Sequence, residues 1–211
     1  MRLVRALSKK RVFRPVSRLL NNINPFSEND TFDRYVQFVK IGTLASQEKI
    51  FNECLKYYPP DTRFAVLPMD MAYMGAGKVQ RCYTEQLDEL ATLTMKYPQL
   101  NPFVHIDPRR EGFTDIFRKY VEEKGFKGLK IYPPLGYFPD DERFYPLYAY
   151  CEKNNLPVIA HCSPRNPVHF KGSKKELLKW IAMSKSPVET KGLTRKELCA
   201  SFTHPKTGRM C

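Results

Sequence analysis

Two segments of this chain end in residues able to do chemistry. Gly128-Leu-Lys-Ile-Tyr-Pro-Pro-Leu-Gly-Tyr137 sets Lys130 near the end of a short apolar run, and Leu156-Pro-Val-Ile-Ala-His-Cys-Ser-Pro164 does the same for His161. Each run stops at a polar residue and passes into a Pro-containing turn, the pattern of a buried parallel strand whose tip carries function. An imidazole at such a tip could ligate a divalent ion, or be a core histidine bonded to backbone. The lysine could present its charge to a substrate, or snorkel to solvent. Lys130 and His161 are therefore candidates for one shared pocket.

Other polar residues end neighbouring apolar runs. Asp70 follows Phe64-Ala-Val-Leu-Pro-Met69, and Tyr73 with Gly75 and Gly77 supplies a loop at the same rim. Asp107 and Arg109 close the run that begins at Phe103. Arg109 has the planar fork that suits a carboxylate, and the same residues could instead form an Asp–Arg pair that locks adjacent loops. Tyr132 and Tyr137 could line the pocket. His105, inside its run, reads as a structural residue turned away from the pocket by strand alternation. Gly75-Ala-Gly77 matches neither the dinucleotide nor the Walker phosphate loop. Ser163 lacks the Gly-x-Ser-x-Gly elbow of a serine nucleophile.

The elements that must hold these residues read as repeated β/α units. Four apolar runs, Phe64 to Pro68, Phe103 to Ile106, Gly128 to Ile131 and Val158 to Ala160, are expected as parallel strands. Helical spacing predicts a helix from near Lys78 to Tyr97, ending before Pro98, and a second through Phe113, Ile116, Phe117, Tyr120 and Val121. Gly125 sits where a left-handed cap is wanted. A third helix follows Asp140-Asp141, and Gln47 to Tyr58 is amphipathic. Ser173-Lys-Lys-Glu176 and Thr194-Arg-Lys-Glu197 both read as capping boxes.

Composition is that of a globular chain, with 42% apolar and 27% charged residues. The net charge of +13 is carried by the ends: residues 1–27 hold seven Lys/Arg and no acid, and residues 171–211 hold ten against three. The centre is nearly neutral, so nucleic acid is not an expected partner; the arm also fits a loose transit-peptide composition. No apolar run approaches the roughly 20 residues of a membrane span. Six cysteines lack metal-type spacing, and Cys54, Cys82 and Cys151 are expected on apolar helix faces, which suits a cytoplasmic location.

Together, the segments Arg63 to Gly77, Phe103 to Arg109, Gly128 to Tyr137 and Leu156 to Pro164 resemble the amidohydrolase-related branch of the metal-dependent hydrolases, TIM barrels that bind a divalent metal at the C-terminal ends of their strands. The resemblance implies an α/β fold, a partial TIM-type barrel with about four parallel strands equivalent to strands two to five. It implies that His161 is a metal ligand, for zinc or a similar divalent ion. It makes Lys130 a catalytic pocket lysine; in some relatives the equivalent residue is carboxylated and bridges two metals, and in others it offers positive charge to a substrate carboxylate. Asp70, Tyr73, Asp107, Arg109, Tyr132 and Tyr137 would then meet the substrate. The implied reaction is attack of a metal-activated water on a small carbonyl- or carboxylate-bearing molecule, and carboxy-lyases and hydratases share the same kind of site.

The chain departs from that pattern in two places. It has no His-x-His motif, and its later His204 lies in Thr-His-Pro, a loop sequence and not a strand end. A complete barrel takes about 250 residues, so the expectation is an internal fragment: a basic arm and helical lead-in over 1–45 and a partial barrel over 46–211. A non-catalytic remnant or binding module of the same fold is the rival reading. Open strand edges would favour a second copy that covers them.

Overall fold

The computed structural model describes residues 31–74, 79, 81–161, 173–182 and 189–202. The basic arm through residue 30, Gly75, Gly77, Cys162, Ser163 and His204 fall outside these. The chain divides into two compact units, residues 1–62 and 63–211.

Among the described residues, the first unit has helices α1 (Thr31–Gly42) and α2 (Gln47–Cys54). Ser46 caps α2 by accepting the Lys49 N–H at 3.3 Å. The amphipathic stretch expected to run to Tyr58 tightens after Cys54 into a 3-10 turn over Leu55–Tyr57. Within this unit the Gln37 amide donates to the Tyr57 hydroxyl at 3.1 Å.

The second unit is built on short parallel strands: β1 (Phe64–Val66), β2 (Leu100–Pro102), β3 (Val104–His105), β4 (Leu129–Ile131) and β5 (Val158–Ala160). β1 pairs with β2, and β3, β4 and β5 pair in that order. β2 and β3 are one run of chain, separated only by Phe103, whose N–H donates to the Val66 carbonyl at 3.0 Å. The run expected to begin at Phe103 thus begins three residues earlier. Its first half bonds to β1 and its second half to β4, where the Val104 N–H donates to the Gly128 carbonyl at 2.9 Å.

Helices α3 (Tyr83–Lys96), α4 (Phe113–Arg118) and α5 (Tyr145–Lys153) connect successive strands. α3 begins later than the spacing of Val79 suggested. Cys82 forms a capping box with Glu85: its sulfur accepts the Glu85 N–H, and the Glu85 carboxylate accepts the Cys82 N–H at 3.0 Å. Cys82 is therefore an exposed cap and not, as its position suggested, a thiol on an apolar face. Cys54 is half-buried and Cys151 is buried in the core. α4 widens into a π turn over Lys119–Glu123, and Gly125 takes the left-handed conformation at φ 70° that only glycine adopts without strain.

The helices bury one face of the strands. Leu87 and Leu90 of α3, Phe117 of α4 and Leu147 of α5 form a single core with Val104, Ile106, Leu129 and Ile131. At about 25 cal/mol per Å² of buried apolar surface, such residues supply most of the stabilisation of this unit. Gly128 is required where β4 approaches its neighbours: a Cβ there would collide with the Pro157 carbonyl and meet the Phe103 ring at 2.8 Å.

Two further helices, α6 (Lys174–Ala182) and α7 (Arg195–Ser201), open with the expected capping boxes. The Glu176 carboxylate accepts the Ser173 N–H at 2.6 Å, and that of Glu197 accepts the Thr194 N–H at 2.7 Å. These bonds favour the ionised acids and lower both pKa values. Leu177, Ile181, Leu198 and Phe202 pack with Phe138 in a second, smaller core. Among the described residues, no helix is long and apolar enough to cross a membrane.

Candidate functional site

Register decides which strand-tip residues share a face. His105 of β3, Lys130 of β4 and Ile159 of β5 are direct partners. Side chains of paired residues in a parallel sheet project the same way, opposite to their chain neighbours. Val104, Ile106, Leu129 and Ile131 are buried beneath the helices, so His105 and Lys130 take the other face. Two residues further on, Asp107, Tyr132 and His161 return to that face. The Ile106 N–H bonds to the Lys130 carbonyl at 3.0 Å, and the His161 N–H to that of Ile131 at 3.2 Å, which keeps the tips aligned.

Lys130 is 6% exposed and does not snorkel. Burial favours its neutral amine and lowers its pKa. Its nitrogen lies 5.7 Å from the centre of the Tyr132 ring. That ring in turn lies 4.8 Å from the His161 ring, inclined by 32°. His161 is half-buried, and burial followed by the Lys130 charge lowers its pKa. Lys130, Tyr132 and His161, assigned to one pocket by the sequence reading, are thus grouped.

His105 was expected to turn away and does not. It is fully buried, and burial, reinforced by the charges of Lys130, Arg109 and Arg110, lowers its pKa to about 3. The ring is therefore neutral near pH 7. Its Nδ1 accepts the Asp70 N–H at 3.0 Å, so the proton must reside on Nε2. Nε2 faces the Tyr137 hydroxyl at 3.4 Å and donates to it.

That hydroxyl also accepts the Tyr132 N–H at 2.6 Å and donates to the Ile106 carbonyl at 3.1 Å. Tyr137 is buried, and its pKa is raised well above the usual phenol value, first by burial. Its polar atom joins β3 to the segment after β4. The Tyr83 hydroxyl acts similarly, accepting the His105 N–H at 2.8 Å. Tyr83 escaped the sequence reading because it sits in the first turn of α3, far from any strand tip.

The two buried carboxylates near the ends of β1 and β3, Asp70 and Asp107, are each held by an arginine. Asp107 takes a bidentate grip from Arg109, at 2.7 Å to Nε and 2.5 Å to Nη2. Asp70 is ion-paired to Arg110 across forty residues, and accepts the Ala72 N–H at 3.1 Å to start the 3-10 turn Met71–Tyr73. The Arg109 guanidinium lies 4.8 Å from the Tyr73 ring centre and that of Arg110 5.6 Å from it. Burial is the first cause of the raised Tyr73 pKa. Arg110 had no signal of its own in the sequence, where Arg109 beside it carries the same charge.

These donors do not fit a divalent metal. Among the described residues, no group of three or more His, Cys, Asp or Glu side chains converges as a metal centre needs. His105 already accepts a backbone proton, both inner carboxylates face guanidinium groups, and Lys130 adds positive charge. A cleft between α3 and the α4 region, lined by Asp88, Thr92, Met95, Lys119 and Glu123, lies on the helical side of the strands.

Comparison with curated proteins returned no match. The family model for amidohydrolases matches residues 54–183, which includes every strand tip described above and more than half of the chain. The chain belongs to the amidohydrolase family.

Proposed function

We propose that this chain serves amidohydrolase-superfamily chemistry on a small molecule bearing a carbonyl or carboxylate, with Lys130, Tyr132 and His161 lining its site. What carries the reading is Lys130: a buried cation on the face where parallel strand tips do chemistry. Parallel strands with their helices packed on one face support the finer architecture, strands two to five of a TIM-type barrel. The amidohydrolase family generally uses divalent metals. The residues described here do not complete such a centre, so ligands for it would have to come from elsewhere.

The test is binding and turnover of a panel of small carboxylates and their amides, with and without added zinc, by the natural chain and by Lys130→Met. Hydrolysis that Lys130→Met loses supports the proposal. A panel that neither binds nor reacts under either condition removes it.

The Asp107–Arg109 and Asp70–Arg110 pairs favour a second reading, a binding module of the same fold. The oxygens of these carboxylates are already engaged by guanidinium donors and are not presented to a substrate. Binding without turnover, even with zinc present, selects this reading.

A further inference from the structure

Arg109 and Arg110 carry the same planar fork and use it differently. Arg109 sets Nε at 2.7 Å and Nη2 at 2.5 Å on the two oxygens of Asp107, which occupies one edge of its guanidinium. Arg110 holds Asp70 through Nε alone, and among the described residues its Nη1 and Nη2 donate to no acceptor. Its side chain is 25% exposed against 10% for Arg109, so it keeps the wider path to solvent. The Arg110 fork is also held in place before any ligand arrives. Its backbone N–H donates to the Asp107 carbonyl at 3.0 Å and closes a turn, and Arg143 donates to the Pro108 carbonyl within that turn at 2.8 Å. The guanidinium lies 5.6 Å from the Tyr73 ring centre and 5.9 Å from that of Tyr83. A side chain fixed in this way loses little further freedom on binding.

We infer that Arg110 receives the carboxylate of a small substrate through its paired terminal nitrogens, Nη1 and Nη2. The inference rests on the small-carboxylate reading of the site and names the side chain that tells an acid from its neutral amide. Residue types alone offered this role to Arg109, and the hydrogen bonds move it one position along the chain. Asp70 links the fork to the strand tips: its carboxylate is paired to Arg110, and its N–H donates to His105, the register partner of Lys130. Asp70 lies on the Nε side, so it does not compete for the outer edge. A carboxylate seated on that edge accepts two parallel N–H···O bonds, whereas an amide offers a single oxygen.

The experiment labels the natural chain with phenylglyoxal, which closes a ring across the two terminal nitrogens of an arginine, and locates the product by peptide fragmentation. Acetate is the probe and acetamide its uncharged counterpart, with sodium chloride holding the ionic strength constant. At about ten times its dissociation constant, acetate should slow the labelling of Arg110 about tenfold, as the unoccupied fraction falls. Acetamide should leave that rate unchanged, and the exposed Arg118 should react equally fast under all conditions. Three results overturn the inference: an Arg110 that does not react, shielding by acetate no greater than at Arg118, or equal shielding by acetamide. All comparisons lie within the natural chain, so none depends on how a variant folds. The readout is binding and involves no turnover. Absence of shielding therefore leaves Lys130-dependent hydrolysis untouched, and absence of hydrolysis leaves the shielding untouched.

Discussion

The Nδ1 atom of His105 accepts the backbone N–H of Asp70 at 3.0 Å, so a residue of β3 holds the chain that leaves β1. One ring thereby sets three things. It fixes the start of the turn bearing Tyr73, it carries its own proton on Nε2 toward Tyr137, and it contributes no charge beside Lys130.

The first consequence is pH dependence. The folded-state pKa of His105, about 3, lies below the usual value of 6.5. Between these values the unfolded chain binds a proton that the folded chain refuses. Its contribution is fully present above pH 6.5 and is lost as pH falls toward 3, by up to about 1.4 kcal/mol per pH unit. Urea unfolding of the natural chain and His105→Gln at pH 7, 5 and 4 checks this. The gap between the two should narrow on acidification; a constant gap would show that the buried ring titrates normally.

Gly128→Ala tests the close approach of β4 to its neighbours. The new methyl would strike a backbone carbonyl, Pro157, as well as the Phe103 ring. A carbonyl that also accepts the Leu129 N–H at 3.0 Å cannot withdraw without weakening the β4–β5 ladder. The expected loss is about 2 kcal/mol or more, read from the denaturation midpoint.

The Asp70–Arg110 pair makes a prediction about order of severity. Arg110→Met leaves a buried carboxylate without its partner and should cost roughly 3 kcal/mol. Adding Asp70→Asn removes the orphaned charge, so the double variant should be more stable than Arg110→Met alone. Additive losses in a double-mutant cycle would mean that the two residues act separately.

Phe138 is the apolar bridge from the segment after β4 to the last two helices, its ring 4.4 Å from that of Phe202. Phe138→Ala should cost about 3 kcal/mol. Hydrogen exchange should show the loss concentrated in α6 and α7, with β3, β4 and β5 still protected. Uniform loss of protection across both regions would show that the two cores unfold together.

Local patterns in the sequence were sufficient for the elements whose signals are local. Val158 to Ala160 is a strand where its apolar run predicts one, both capping boxes form at Ser173 and Thr194, and Gly125 takes the left-handed turn. These depend on residues within four positions of each other, so propensity and side-chain chemistry decide them. The start of α3 shows the limit, because apolar spacing extended the helix to Val79 while a thiol, rarely a cap, ended it at Cys82.

The site depended on contacts that no local pattern encodes. Residue types and strand ends by themselves determined that Lys130, His161, Asp70 and Asp107 stand near strand tips. The Asp107–Arg109 pair, two residues apart, was already an alternative in the sequence; only the tertiary structure decided that Asp70 pairs with Arg110, that Lys130 is buried, and that His105 faces the same side as Lys130. The physical reason is register and burial: which strand lies beside which fixes the neighbours of each charge, and those neighbours, with the loss of water, set its protonation and its partner.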